Sequence, residues 1–161
     1  VREVENRLDE CNYSEGEIMA AIDKLRNNGL LNDDKFARDF IESRLNTKPV
    51  SRGKLRRQLR EHFVENAVID EALSAVSDET ELSNAAAVGN KYFRQYSSLP
   101  LKERLRRTGS RLVSCGYAID DVKTVLSELA ENAEEPENSD EAYDEIEFSF
   151  RSAENGADDE E

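Results

Sequence analysis

One histidine, two cysteines, three prolines and no tryptophan are found in 161 residues, and each scarcity removes a class of function. With His62 alone, a histidine acid–base pair, a catalytic triad or a histidine zinc site has no second member. The seven glycines are scattered, and none builds the Gly-x-x-x-x-Gly-Lys-Ser/Thr loop that cradles phosphates. These gaps predict a protein that is not an enzyme and holds no cofactor and no metal. Apolar runs stay far short of the roughly 20 residues that cross a bilayer. The chain opens at Val1 with neither a charged nor an apolar leader, so a cytoplasmic protein without an export signal is expected. Cys11 and Cys115 occupy the same register of a repeat, too far apart to pair, and are expected as small buried apolar residues. Asn12-Tyr13-Ser14 matches a glycosylation sequon by chance, since Ser14 serves better as a helix cap.

What the chain does have is internal repetition. RLDECNYSEGEIMAAIDKL from Arg7, QLREHFVENAVIDEALSAV from Gln58 and RLVSCGYAIDDVKTVLSEL from Arg111 align without a gap. Leu8, Leu59 and Leu112 share one register, spaced 51 and 53 residues apart. Tyr13, Val64 and Tyr117 share another, as do Ile18, Ile69 and Val122, then Ile22, Leu73 and Leu126. Such a period marks stacked units that cannot bury their apolar faces alone. It predicts an extended surface for a macromolecule.

Almost every segment reads at helical period. Ser14-Glu15-Gly16-Glu17 is a capping box ahead of Ile18, Ile22 and Leu25. Gly29 sits where a left-handed residue ends that helix. Asn32, Asp33 and Asp34 supply cap oxygens for a helix carrying Phe36, Ala37, Phe40, Ile41 and Leu45. Leu55, Leu59 and Phe63 form a stripe after Pro49, then Val68, Ile69, Ala72, Leu73 and Val76 form another. Asp78-Glu79-Thr80-Glu81 opens a helix with Leu82, Ala85, Val88 and Tyr92. Leu101, Leu105 and Leu112, then Ile119, Val122, Val125 and Leu129 close the series. The expectation is an all-α protein of tandem three-helix repeats forming an elongated curved array, with a disordered acidic C-terminal tail. Its divisions are repeat 1 at 1–48, repeat 2 at 49–98, repeat 3 at 99–131 and the tail at 132–161. Isolated helices of such length are marginal in water, so packing between neighbours must hold them.

Charge is split along the chain. Residues 131–161 hold fourteen acids and one base, net −13, whereas residues 1–130 hold 22 acids against 21 bases. A nearly neutral body thus precedes an acidic tail too poor in aliphatic residues to offset chain entropy. Tyr143, Ile146, Phe148 and Phe150 interrupt that tail as a possible docking segment. The tail's charge is expected to compete for the body's cations, an effect strongest at low salt.

Two basic helices carry the positive signal. Arg52, Lys54, Arg56, Arg57 and Arg60 follow Pro49; Lys102, Arg104, Arg106, Arg107 and Arg111 follow Pro100. These ten side chains are nearly half of the body's bases, with Glu61 and Glu103 as the acids among them. Arg52, Arg56 and Arg60 run down one ridge at i, i+4 and i+8. The ten are the candidate partner- or DNA-binding residues, because guanidinium groups make planar paired contacts with phosphate or carboxylate. Such a stripe suits phosphate or an acidic protein groove, and the readings from the residues alone include plain nucleic-acid binding and a helical adaptor that holds a peptide on its apolar face. Few aromatics accompany these bases in sequence, which disfavours stacking on single strands.

The segment from Gly29 to Arg44, GLLNDDKFARDFIESR, resembles the RecX family signature G-(Y/L)-L-D-D-x-(R/K)-F-A-x-x-F-(I/V)-x-x-R. LREHFVENAVIDEAL and LVSCGYAIDDVKTVL are similar to that family's second and third repeats, so the resemblance covers about residues 1–130. Asn32 stands where Asp is usual, Phe63 replaces the usual Gly, and the acidic tail lies outside the family pattern. The resemblance implies tandem three-helix repeats that bind and modulate the DNA filament of a RecA-type recombinase, most often as inhibitors. A monomer with a RecA-type filament on DNA as partner, and with possible direct DNA contact, is what it leads one to expect. Phe36, Phe40, Leu59, Leu73, Leu112 and Leu126 are expected to be structural.

Overall fold

A computed structural model describes residues 1–133. Among them are eight helices: α1 (Arg2–Glu10), α2 (Glu15–Asn27), α3 (Asp33–Thr47), α4 (Arg52–Glu61), α5 (Asn66–Ser74), α6 (Asp78–Gln95), α7 (Leu101–Ser114) and α8 (Ile119–Glu131). No strand occurs among the described residues, so the all-α expectation holds. The expectations for the tail, including Tyr143, Ile146, Phe148 and Phe150, lie outside these residues.

Local signals start the helices where the sequence puts them. At α2 the Ser14 hydroxyl accepts from Glu17 N at 3.4 Å, and the Glu17 carboxylate accepts from Ser14 N at 2.9 Å. The Ser14 hydroxyl also holds the Glu17 carboxyl below its ordinary range. Asn32 Oδ1 accepts from Lys35 N at 2.9 Å to start α3. Ser51, itself buried, caps α4 by accepting from Lys54 N at 3.0 Å. Each cap satisfies one of the N–H groups that a helix start leaves without an intrahelical partner.

The repeat shows again at the helix ends. α1, α4 and α7 are each followed by a left-handed residue in equivalent register: Asn12 at φ 60, Phe63 at φ 58 and Gly116 at φ 89. Glycine and asparagine tolerate this region, whereas a bulky side chain there costs about 1–2 kcal/mol. Phe63 therefore stands apart from its two counterparts.

The described residues divide into two compact units, 1–78 and 79–133. In the first, Ala37 and Ile41 of α3, Val50, Leu55 and Leu59 of α4, Val64, then Ile69, Ala72 and Leu73 of α5 and Val76 form one core. In the second, Ala85 and Phe93 of α6, Leu105 and Leu112 of α7, Tyr117, and Val122, Val125, Leu126 and Leu129 of α8 form another. The cores thus group α3–α5 and α6–α8, and residues 49 and 99 fall inside these groups. Gly89 permits the close approach of α6 and α8: a Cβ there would lie 2.6 Å from Val125 Cγ1.

Helices α1 and α2 are thinner in burial. α1 has no buried residue and α2 has Ile22 alone. Two expectations need correction here. Cys11 is exposed and Cys115 half-buried, and no disulfide joins them; Cys11 ends a helix that has no buried side of its own. Phe63 leaves the Leu55/Leu59 stripe and is 48% exposed, since α4 stops at Glu61 and the left-handed turn redirects the chain. Phe36 is 39% exposed, with its ring set edge-on to His62 at a centroid separation of 5.5 Å. Phe40 is half-buried beside both rings, and Leu59, Leu73, Leu112 and Leu126 lie in the cores.

Candidate partner-binding helices

Helix α4 buries Leu55 and Leu59, four residues apart, on its inner side. Its ridge Arg52, Arg56 and Arg60 does not stand free in solvent. Arg60 Nε donates to Asn66 Oδ1 at 3.0 Å. One turn back, Arg56 Nη1 lies 2.5 Å from Asp70 Oδ1. One turn further, Arg52 Nη1 lies 2.7 Å from Asp78 Oδ1, and its Nη2 donates to the Val76 carbonyl. As the ridge runs back along α4, its partners run forward from the start of α5 to the start of α6. The i, i+4, i+8 spacing has built a ladder that ties an antiparallel helix pair together. Lys54 is half-buried, and Arg57 is exposed.

Helix α7 uses its cations differently. Leu105, Thr108, Gly109 and Leu112 face the core of the second unit. Glu103 accepts from Arg106 Nε and Nη2, both at 2.9 Å, and from Arg107 Nε at 2.5 Å. The hydrogen bonds from Arg106 and then Arg107 hold the Glu103 carboxyl down at about 2. Two guanidinium groups thus share one carboxylate on the exposed side of the same helix, leaving a local excess of positive charge. Arg104 turns inward: its Cζ lies 3.8 Å from the Phe93 ring centroid, and its Nη2 donates to the Phe93 carbonyl at 3.3 Å. Lys102 and Arg111 are exposed.

Aromatics beside these bases come from the C-terminal end of α6 and the residue that follows it. Tyr92 and Tyr96 stack with centroids 6.4 Å apart and planes at 22°. Arg111 Cζ sits 5.1 Å from the Tyr92 centroid and Lys91 Nζ 5.8 Å from it. Tyr92 is also the first cause holding the Arg111 guanidinium above its ordinary range. Tyr92 and Tyr96 share a face at i, i+4, so half of this signal was present in the sequence. Its juxtaposition with Arg111 depends on how α6 and α7 pack.

Of the ten candidate residues, Arg52, Arg56 and Arg60 are joined in the α4 ladder and Arg104 to α6. Arg106 and Arg107 are clasped by Glu103 yet half open to solvent. Among the described residues no group of His, Cys, Asp and Glu is arranged to hold a metal ion, and no helix is long and apolar enough to cross a membrane.

Residues 32–73, the span of α3, α4 and α5, match the family model for RecX, second three-helix domain. The chain is 36% identical over 110 residues to the Regulatory protein RecX of Streptomyces coelicolor, covering 66% of this chain. It spans only 58% of the length of that relative. Against the Regulatory protein RecX of Prosthecochloris aestuarii it is 28% identical over 131 residues, covering 81% of this chain and 84% of the other. The crystal structure of RecX from Lactobacillus salivarius superposes with a TM-score of 0.74 at 22% identity, over 80% of this chain and 84% of that chain. That last likeness concerns the fold alone.

Proposed function

Because this chain belongs to the RecX family, we propose that it modulates a RecA-type recombinase by binding the recombinase filament on DNA, with inhibition as the direction of the effect. The observation that carries this reading is the exposed cationic face of α7, with Arg106, Arg107, Arg111 and Lys102, in a chain of this family. A nucleoprotein filament presents many anionic groups, and exposed guanidinium groups are suited to both phosphate and carboxylate. Arg57, Lys54 and Arg60 on α4 are further contact candidates, while Arg52, Arg56 and Arg104 act first in holding helices together. The test is the recombinase's DNA-dependent ATP hydrolysis. Suppression at well below one copy per recombinase protomer supports the reading, and an unchanged rate at equal amounts refutes it.

The Tyr92–Tyr96 stack beside Arg111 and Lys91 favours a second reading, direct contact with single-stranded nucleic acid. Bases stack on aromatic faces while cations meet phosphates. Affinity for a bare oligonucleotide would then fall with salt, at a log–log slope of about −0.7 per phosphate contact on single strands. Loss of that affinity in Tyr96→Ala, with filament binding kept, separates the two readings.

A further inference from the structure

Phe63 occupies a backbone position that its two counterparts in the repeat fill with residues suited to it. Asn12 and Gly116 hold the left-handed turn with little strain, whereas Phe63 holds it at φ 58 with a bulky side chain. Burial does not repay that strain, because the ring is 48% exposed and the adjacent Val64 already closes the core. Strain of this kind persists where the rest of the fold enforces it, and it concentrates at functional positions.

The surroundings define what the ring can meet. Phe63 lines a recess of about 360 Å³ together with Arg2, Arg60, Val64, Glu65 and Asn66. Arg2 and Arg60 are exposed, and the Arg60 guanidinium is steadied by its bond to Asn66 Oδ1. Glu61 and Glu65 are exposed on either side of the turn. A polyanion approaching the ring would meet these carboxylates at close range, so the mixed charge disfavours nucleic acid at this point. It suits a protein surface, where an aromatic anchor flanked by arginine is the usual make-up of an energetic centre.

We propose that Phe63 is a docking side chain that inserts into an apolar pocket on the recombinase protein, with Arg60 and Arg2 meeting carboxylates at the rim of that pocket. This rests on the filament-binding reading and adds the residue and the partner component it touches. Its backbone strain is retained because the ring is needed outside the fold.

The test compares the unaltered chain with Phe63→Gly, Phe63→Asn and Phe63→Tyr. Three quantities are measured for each: the thermal midpoint, the affinity for a RecA-type recombinase assembled on single-stranded DNA, and the affinity for the same DNA without protein. Phe63→Gly and Phe63→Asn are expected to melt about 2–4 °C higher, because the turn is relieved. They are expected to bind the assembled filament about 10–30-fold more weakly, with bare-DNA affinity unchanged. Phe63→Tyr keeps the ring and is expected to bind the filament within about threefold of the unaltered chain.

Filament binding by Phe63→Gly equal to that of the unaltered chain overturns the role of the ring and leaves the filament reading standing. Absence of filament binding by the unaltered chain overturns both. Equal losses on filament and bare DNA assign the ring to nucleic acid and refute the protein pocket. A lowered midpoint in both Phe63→Gly and Phe63→Asn shows a structural ring and also overturns the proposal.

Discussion

Helices α4 and α7 each follow a proline and carry five cations, yet they direct them to different partners. On α4, Arg52, Arg56 and Arg60 reach across to Asp78, Asp70 and Asn66 and tie neighbouring helices together. On α7, Arg106 and Arg107 reach back to Glu103 in the same helix, and Arg111 leans on Tyr92. The α4 arginines join separate elements, so removing them should weaken the fold. The Arg106 and Arg107 pair joins one turn of helix to the next, so removing either should change surface charge and little else. Equal arginine content therefore does not mean equal availability to a partner.

The largest expected effect separates the two helices by stability. Arg52→Ala removes the donor to the Val76 carbonyl and the partner of Asp78, and is expected to cost about 1–3 kcal/mol in urea unfolding. Arg106→Ala on α7 is expected to stay within about 0.5 kcal/mol. Similar losses for both would abolish the distinction. Next in size is the coupling between Arg56 and Asp70. A double-mutant cycle is expected to give about 0.5–1 kcal/mol, as suits a pair partly open to water.

Smaller in stability, but sharper in function, is Glu103→Gln. It releases Arg106 and Arg107 from their shared carboxylate, so filament affinity is expected to rise several-fold at low salt while the unfolding midpoint barely moves. A fall in affinity would mean that the carboxylate positions the guanidinium groups for binding. The smallest effect is a titration. The Glu103 carboxyl, held at about 2, stays ionised at pH 3, where an ordinary glutamate is largely protonated. Its folded value lies below its unfolded one, so whatever stability the clasp gives is complete above the ordinary glutamate value of about 4.3 and disappears as pH falls through about 2. Carbon-detected NMR of the side chain reads this directly, and a midpoint near the ordinary value would show that the clasp does not persist in solution.

The fold was largely legible because its signals are local. The Ser14–Glu17 box, Asn32 and Gly29 act within a few residues, and the 3.6-residue period of Leu55 and Leu59 needs no knowledge of other helices. The candidate site was legible only in composition. The α4 ladder depends on the register between α4 and α5, set by the turn through Phe63, and Asp70 and Asp78 become partners only once that hairpin closes. A periodic reading also carried Phe63 into the apolar stripe, although α4 ends before it. Tyr92 and Arg111 lie nineteen positions apart, and only packing of α6 on α7 unites them.

The unequal cover over Cys11 and Cys115 has a practical outcome. A maleimide dye offered in limiting amount reaches the sulfur of Cys11 ahead of that of Cys115, since one sits in open water and the other under neighbouring atoms. The native chain can thus report its own encounters by fluorescence anisotropy, with no engineered handle added.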